Sequence, residues 1–278
     1  MPAQIRIGTR QSPLALKQAE IVRSKIAAAA TLVPMQTSGD LFQKGGGKGL
    51  FIKELEQALL RGEIDMAVHS LKDVTTRLEP GLRLAAFLKA ESCLDVVIGK
   101  PLSQCKIVGT SSLRRKALIK KSWPHIQTVE LRGNVETRIR KIETEGLDAI
   151  ILSEAGLIRL GLTDRITERM DPIVFPPAPG QGVITVEVHQ NAESIREICA
   201  SLNDLAQENL SRLELLLVDI MGLDCSAPLG VYSRVENGTF RMNVFLSGIE
   251  EALSCPLAEC EAAVRKLGHG LLPHLRRS

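Results

Sequence analysis

Aromatic side chains are scarce in this sequence: six Phe, one Trp and one Tyr make up 3% of 278 residues. That argues against a binder of single-stranded nucleic acid, which stacks bases on aromatic platforms. No apolar run approaches the ~20 residues that span a bilayer. Met1 to Thr9 carries no apolar core behind a basic start, so neither a membrane span nor a secretory signal is expected. The six cysteines (Cys93, Cys105, Cys199, Cys225, Cys255 and Cys260) include no CxxC pair, and free thiols in a cytoplasmic chain are expected. Cys255, Cys260, His269 and His274 could form a zinc-finger pattern only through a spacer of eight residues. That is shorter than the usual ~12, so no metal is expected.

Large net charge is missing too: the chain is only +3. The charge is unevenly spread, with eleven Lys/Arg against four Glu in residues 100–145. Such a patch means an anionic partner or a solvated helix face. Hydrophobic residues at 44% and charged residues at 24% are ordinary for a globular chain of about two domains.

The first two thirds alternate strand and helix signals. Ile5 to Gly8 reads as a strand. Ser12 then caps a helix with Pro13 at its first position, and Leu14, Ala15, Ala19, Val22 and Ile26 recur at helical spacing. Leu32–Thr37, Asp65–His69 and Leu82–Leu88 read as further strands. A helix through Ile52, Leu55 and Leu59 ends at Gly62. The pattern restarts after Cys93, with strands at Ile107–Val108, Val129–Leu131 and Ala149–Leu152 and helix starts at Ser111-Ser112 and Asn134. Alternation of this kind predicts parallel sheets with crossover helices, in two α/β units. The stretch Phe175 to Gly180 reads as a connector, and Val183 to Val188 as a strand returning to the first sheet. Ser194 to Met221 is mostly helical. A hairpin turning at Asn237-Gly238 and a helix from Pro256 to Leu267 complete a small α+β unit.

Several polar clusters fall at strand ends, where open α/β sheets bind ligands. The run Lys44 to Gly49 fails the phosphate-loop pattern and reads as a mobile loop or a lid. His69-Ser70-Leu71-Lys72-Asp73 is a site or a solvated turn. At Thr110 to Arg115, free helix amides, hydroxyls and two guanidiniums converge, a design for carboxylate or phosphate. Arg132-Gly133-Asn134 with Arg138 repeats the idea, and Arg10 and Arg159 occupy analogous positions. Cys225, in a loop before a strand, is incidental or nucleophilic on this information alone.

Taken together, Thr9 to Ala15, Gly46 to Phe51, Val68 to Val74, Val108 to Arg115, Leu131 to Val135, Ala155 to Gly161 and Pro179 to Gly182 resemble the porphobilinogen deaminase (hydroxymethylbilane synthase) family across nearly the whole chain. The resemblance implies three domains around a cleft: 1–90 plus 181–200 and 93–177, both like the lobes of a solute-binding protein, and a smaller α+β domain, 204–278. It implies a dipyrromethane cofactor held by a thioether at Cys225. Four porphobilinogen molecules are joined to it head to tail, with loss of ammonia, and the linear tetrapyrrole is released. Asp73 takes the catalytic role. Arg10, Arg114, Arg115, Arg132, Arg138 and Arg159 bind substrate and cofactor carboxylates, Ser12, Ser70, Thr110 and Ser112 donate hydrogen bonds, Gly133 accompanies Arg132, Lys72, Gln181 and Phe51 line the site, and Lys48 belongs to a lid. A cytoplasmic monomer using neither nucleic acid nor membrane is expected. Thr75, the short run from Asp40 to Gly46, Leu223-Asp224 and Ser92-Cys93-Leu94 depart from the family pattern. A non-enzymatic two-lobed binder of an anionic metabolite is the alternative, and a nucleic-acid binder using the 100–145 patch comes third.

Overall fold

The computed structural model describes residues 4–37, 52–223 and 227–275. Two five-stranded sheets and one three-stranded sheet organise them. The first sheet takes β1 (Ile5–Arg10), β2 (Ala30–Met35), β3 (Met66–Ser70), β4 (Leu82–Phe87) and β10 (Ile184–His189) in the order β2-β1-β3-β10-β4. The second takes β5 (Asp95–Gly99), β6 (Ile107–Gly109), β7 (Gln127–Val129), β8 (Ala149–Ser153) and β9 (Glu168–Arg169) in the order β7-β6-β8-β5-β9.

Neither sheet is purely parallel, which corrects the sequence reading. The β1, β2 and β3 pairs are parallel, but β10 runs antiparallel to both β3 and β4. In the second sheet β6 is parallel to β7 and β8, and β5 is antiparallel to β8 and β9. The cause is connectivity. β10 enters the first sheet from the second one, along the connector 170–183, and so meets its neighbours head to tail.

The helix starts lie where capping chemistry puts them. The Ser12 side chain accepts the Ala15 N–H at the start of α1 (Pro13–Lys25), which has Pro in its first turn. Ser112 caps α3 (Leu113–Ser122) and Asn134 caps α4 (Val135–Thr144) in the same way. The shorter helices are α2 (Lys53–Leu60), α5 (Glu154–Leu160) and α6 (Glu193–Ala200). Ile5, Ile7, Val68 and Val186 are buried with Ala19 and Val22 of α1, and Val97, Val108 and Ile151 with Leu118 of α3.

The third sheet is the meander β11 (Leu229–Glu236), β12 (Thr239–Leu246) and β13 (Ile249–Pro256). Asn237 and Gly238 both have positive φ, as the tight turn between β11 and β12 requires. Helices α7 (Leu205–Ile220) and α8 (Cys260–Leu275) cover one face, around Leu217, Phe240, Met242 and Val264. The C-terminal helix therefore starts four residues later than expected, because 249–256 forms β13. Helix α7 also reaches the first sheet: Asn203, just before it, accepts the Phe87 N–H at 2.8 Å, and Gln207 accepts that of Ala90.

The connector is pinned at Gly182. Its φ is +91°, and a Cβ there would lie 2.2 Å from the carbonyl oxygen of Ser92. Gly182→Ala combines a disfavoured backbone conformation with a backbone clash and should cost at least ~2–3 kcal/mol. Gly146, at φ +65° with nothing within 4 Å, is the control; its Ala variant should lose only ~1 kcal/mol. Thermal unfolding of the two variants checks the difference.

Candidate active site

The polar residues at the strand ends meet around one buried carboxylate that the sequence reading did not single out. Asp95 opens β5 and is 1% exposed. Its Oδ2 accepts from Arg114 at 2.7 Å, and its Oδ1 accepts from Arg115 at 2.7 and 3.2 Å. Arg114 also donates to the carbonyl of Pro176 and Arg115 to that of Ile151, each at 2.7 Å. Burial alone would raise the Asp95 pKa, but the two guanidiniums hold it well below the usual carboxylate range. One buried anion thus fixes two buried cations and ties α3 to the connector.

Gln181 extends this network. Its amide donates to the Cys93 carbonyl at 2.8 Å and to Asp95 at 3.0 Å, while its oxygen accepts from Lys72 Nζ at 3.5 Å. Lys72 and Asp73 belong to the single 3₁₀ turn Leu71–Asp73 that follows β3. Burial lowers the Lys72 pKa to about 8; Arg115 and Arg114 add to the shift, and Asp73 and Asp95 oppose it. Arg138, on α4, donates to the Gly133 carbonyl at 2.7 Å. Its pKa is lowered by burial and by Arg115, Arg132 and Arg10, with Asp73 opposing, so these groups share one field. Arg132 is exposed, with Glu130 at 3.8 Å.

The expected hydroxyl donors serve local structure. Ser70 accepts from Gln18 at 2.7 Å, Thr110 from the Ser112 N–H at 3.3 Å, and Ser12 and Ser112 act as caps. Arg159 stands apart from the cluster. Its guanidinium is buried and donates to the Gly182 carbonyl at 2.5 Å, and its Nε has no hydrogen-bond partner. Arg114, Arg115 and Arg159 were expected to bind a ligand's carboxylates and Gln181 to line the site; here each is engaged by the protein itself. Lys48, Phe51 and Cys225 lie outside the described residues, as does Asp40.

A cleft of about 590 Å³ opens beside the cluster. Lys72, Ser112 and Arg114 line one side, and Leu215, Leu223 and Ala227 of the third unit line another. Leu223 and Ala227 are the described residues that flank the segment holding Cys225. The cleft lining itself is mixed, with Lys53, Lys72, Arg77 and Arg114 against Glu56, Glu79 and Asp219. Further cations lie beside it, where Arg138 shares a field with Arg10, Arg115 and Arg132, and guanidiniums bind carboxylates in bidentate geometry, so a group carrying several carboxylates fits this donor set. Asp95 could have been found from sequence. A lone carboxylate at the head of the apolar run Val96-Val97-Ile98 needs a buried cation.

A cleft where two α/β units and a small α+β unit meet, with a cluster of arginines beside it, suits an anionic organic ligand. Residues 5–197 match the family model described as "Porphobilinogen deaminase, dipyromethane cofactor binding domain". The porphobilinogen deaminase of Geobacter metallireducens is 40% identical over 99% of this chain and 92% of that one. That of Syntrophobacter fumaroxidans is 40% identical over 95% and 91%. Among solved structures, the periplasmic VFT2 domain of Bordetella pertussis BvgS aligns at 14% identity with a TM-score of 0.43, over 76% of this chain and 92% of that one. The chain belongs to the porphobilinogen deaminase family. Its class is therefore transferase, with a dipyrromethane cofactor, and the reading as a non-enzymatic binding module is set aside.

Asp95→Asn leaves the two buried guanidiniums without their counter-charge and should cost ~3–5 kcal/mol. Urea unfolding measures it; a loss under ~1 kcal/mol would show that the arginines find another partner.

Proposed function

We propose that this cleft joins four porphobilinogen molecules head to tail onto a dipyrromethane carried by Cys225, releases one ammonia at each step, and frees the linear tetrapyrrole by hydrolysis. The observation that supports this reading is that Arg10, Arg115, Arg132 and Asp73 all act on Arg138, and that Asp73 also acts on Lys72, which lines the cleft. When bound, the dipyrromethane supplies the terminal pyrrole to which the substrate is joined. The roles of the chain's own residues follow from charge. Arg10, Arg132 and Arg138 attract and orient the acetate and propionate groups, with Gly133 supplying the carbonyl that aims Arg138. Arg114, Arg115 and Arg159 shape the wall through the groups they hold. Ser12, Ser70, Thr110 and Ser112 fix the strand ends, and Lys72 and Gln181 join the wall to Asp73. In this reading Lys48 and Phe51, which lie outside the described residues, also take part in binding substrate.

So basic a site binds carboxylates but repels the cation left on the substrate when ammonia departs. Asp73 supplies the opposing charge. At ~4 Å and an effective dielectric of ~20, one negative charge is worth roughly 4 kcal/mol. Asp73→Asn should therefore lower kcat by on the order of 10³ while KM changes little. Single-turnover kinetics on cofactor-loaded protein decides this, and a loss under about tenfold would move the stabilising role elsewhere.

The domains proposed are 1–90 plus 181–200, 93–177 and 204–278. The two five-stranded sheets and the meander, each with its own buried cluster, support this division. In the same reading the enzyme is a cytoplasmic monomer with porphobilinogen as its partner and no role for nucleic acid or membrane. The basic 100–145 segment turns Arg114 and Arg115 inward onto Asp95, and no described helix is long and apolar enough to cross a membrane.

Cys225→Ser tests the attachment point. The variant should fold, show no added mass after denaturation and be inactive, because Ser is a far weaker nucleophile than a thiolate. An adduct mapped to Cys93, Cys105, Cys199, Cys255 or Cys260 would overturn the assignment.

A further inference from the structure

Helix α7 leads into the segment that holds Cys225, and it carries a half-buried carboxyl that pairs with no charged group among the described residues. Glu214 lies eleven residues before Cys225. Its Oε2 accepts the Gly180 N–H at 2.7 Å and its Oε1 accepts the Ser233 hydroxyl at 2.5 Å. Among the described residues no Lys, Arg or His pairs with it. The titratable group facing it is the Cys93 thiol, pushed up to about 11 by burial and, in part, by Glu214.

The two bonds join α7, β11 and the connector at a point with little freedom to move. Gly180 has φ +71°, and a Cβ there would stand 2.7 Å from Leu71 Cγ. Leu71 immediately precedes Lys72, and the residue after Gly180 is Gln181, which holds both Lys72 and Asp95. A shift of the Glu214 carboxyl is therefore one residue away from the polar network on the far side of the cleft.

We propose that Glu214 is a positioning residue for the condensation: it latches the helix leading to Cys225 onto the connector at Gly180, and so sets where the end of that helix, from which the chain runs on to Cys225, stands relative to Lys72, Asp95 and the paired arginines. The latch rests on the reading of Cys225 as the attachment point. Glu214 does not touch the reacting groups; it acts through Gly180 and Gln181. Burial raises its pKa to about 7 against the pull of its two hydrogen bonds, so below neutrality the latch works as a neutral acid. A carboxyl whose pKa is raised by folding stabilises the fold on the acid side, and that contribution is lost as pH rises through the folded value. Glu56, on α2, is also raised to about 7, by burial and by Glu187 and Glu79, and gives a loss of the same sign. The comparison is therefore between wild type and variant.

Glu214→Gln and Glu214→Ala holoenzymes test the latch by intact mass, kinetics and amide hydrogen exchange of residues 178–183. Gln keeps an acceptor for Gly180 and carries no charge. It should retain kcat within about twofold near pH 7, and its thermal midpoint should fall less than that of wild type between about pH 6 and about pH 8.5. Ala should still carry the cofactor mass and keep KM within about twofold, while kcat drops about tenfold and connector amides exchange at least ~10-fold faster. Wild-type kcat and connector exchange in loaded Ala would overturn the proposal, as would Gln being as impaired as Ala, or Ala folding without ever loading. Should Ala not fold, wild type and Gln are compared by connector exchange across the same pH range, corrected for intrinsic rates. Faster exchange of wild type above about pH 7 supports the latch, and identical profiles overturn it. Wild-type protein with no adduct on Cys225 overturns the attachment reading and the latch with it; loss of the latch alone leaves that adduct in place.

Discussion

The site depends on burying one carboxylate between two guanidiniums. Taking Asp95, Arg114 and Arg115 out of water costs several kcal/mol per ion before any pairing. What offsets that cost is geometry. Each Asp95 oxygen accepts a bond of 2.7 Å from a different arginine, and each arginine also finds a backbone carbonyl. One of those carbonyls is that of Pro176, on the connector, so the same contact that neutralises the ions also positions the chain as it passes from the second sheet to the first. Gln181 fills the remaining valence of Asp95 and reaches Lys72 on the first sheet. The strand ends of both sheets are thus held by a single polar network.

The network also decides which cations are available to a ligand. Arg114 and Arg115 are committed to Asp95, and Arg159 to the Gly182 carbonyl. Arg132 is exposed, and Arg138 is half-buried with its Nε turned onto Gly133. Lys72 lines the cleft, and among the described residues neither Arg132 nor Arg138 is held in a buried ion pair. Burial is the main cause of the depressed pKa of Lys72; Arg115 and Arg114 add to it, and Asp73 and Asp95 oppose it. In the proposed reaction, which passes through a cation, Asp73 is the carboxylate that opposes these charges.

Much of this was legible in the sequence, for reasons that are local. Ser12-Pro13, Ser112 and Asn134 announce helix starts because capping needs only the residues beside it, and Asn237-Gly238 announces a hairpin because few other pairs tolerate two positive φ values. β5 and β13 were missed. β5 is a short apolar run without a turn signal in front, and β13 mixes Glu250, Glu251 and Ser254 into a strand at the sheet edge. That Asp95 needs a buried cation could be read from the sequence, but which residues pair with Asp95 and Glu214 could not. Their partners lie at Arg114 and Arg115 on α3, at Gly180 on the connector and at Ser233 on β11, which only the tertiary fold brings to them. The arginines themselves were visible, but whether they face a ligand or the protein's own carboxylate is a tertiary fact.

The central claim is that a fixed excess of positive charge at this cleft recruits the substrate's carboxylates. It is tested most directly by the salt dependence of turnover on cofactor-loaded protein. Raising ionic strength from about 0.01 M to about 1 M shortens the screening length from about 30 Å to about 3 Å. The KM for porphobilinogen should rise several-fold over that range while kcat stays within about twofold, since screening weakens attraction between partly exposed charges more than it weakens chemistry at a closed site. A KM that does not change with salt would contradict the account.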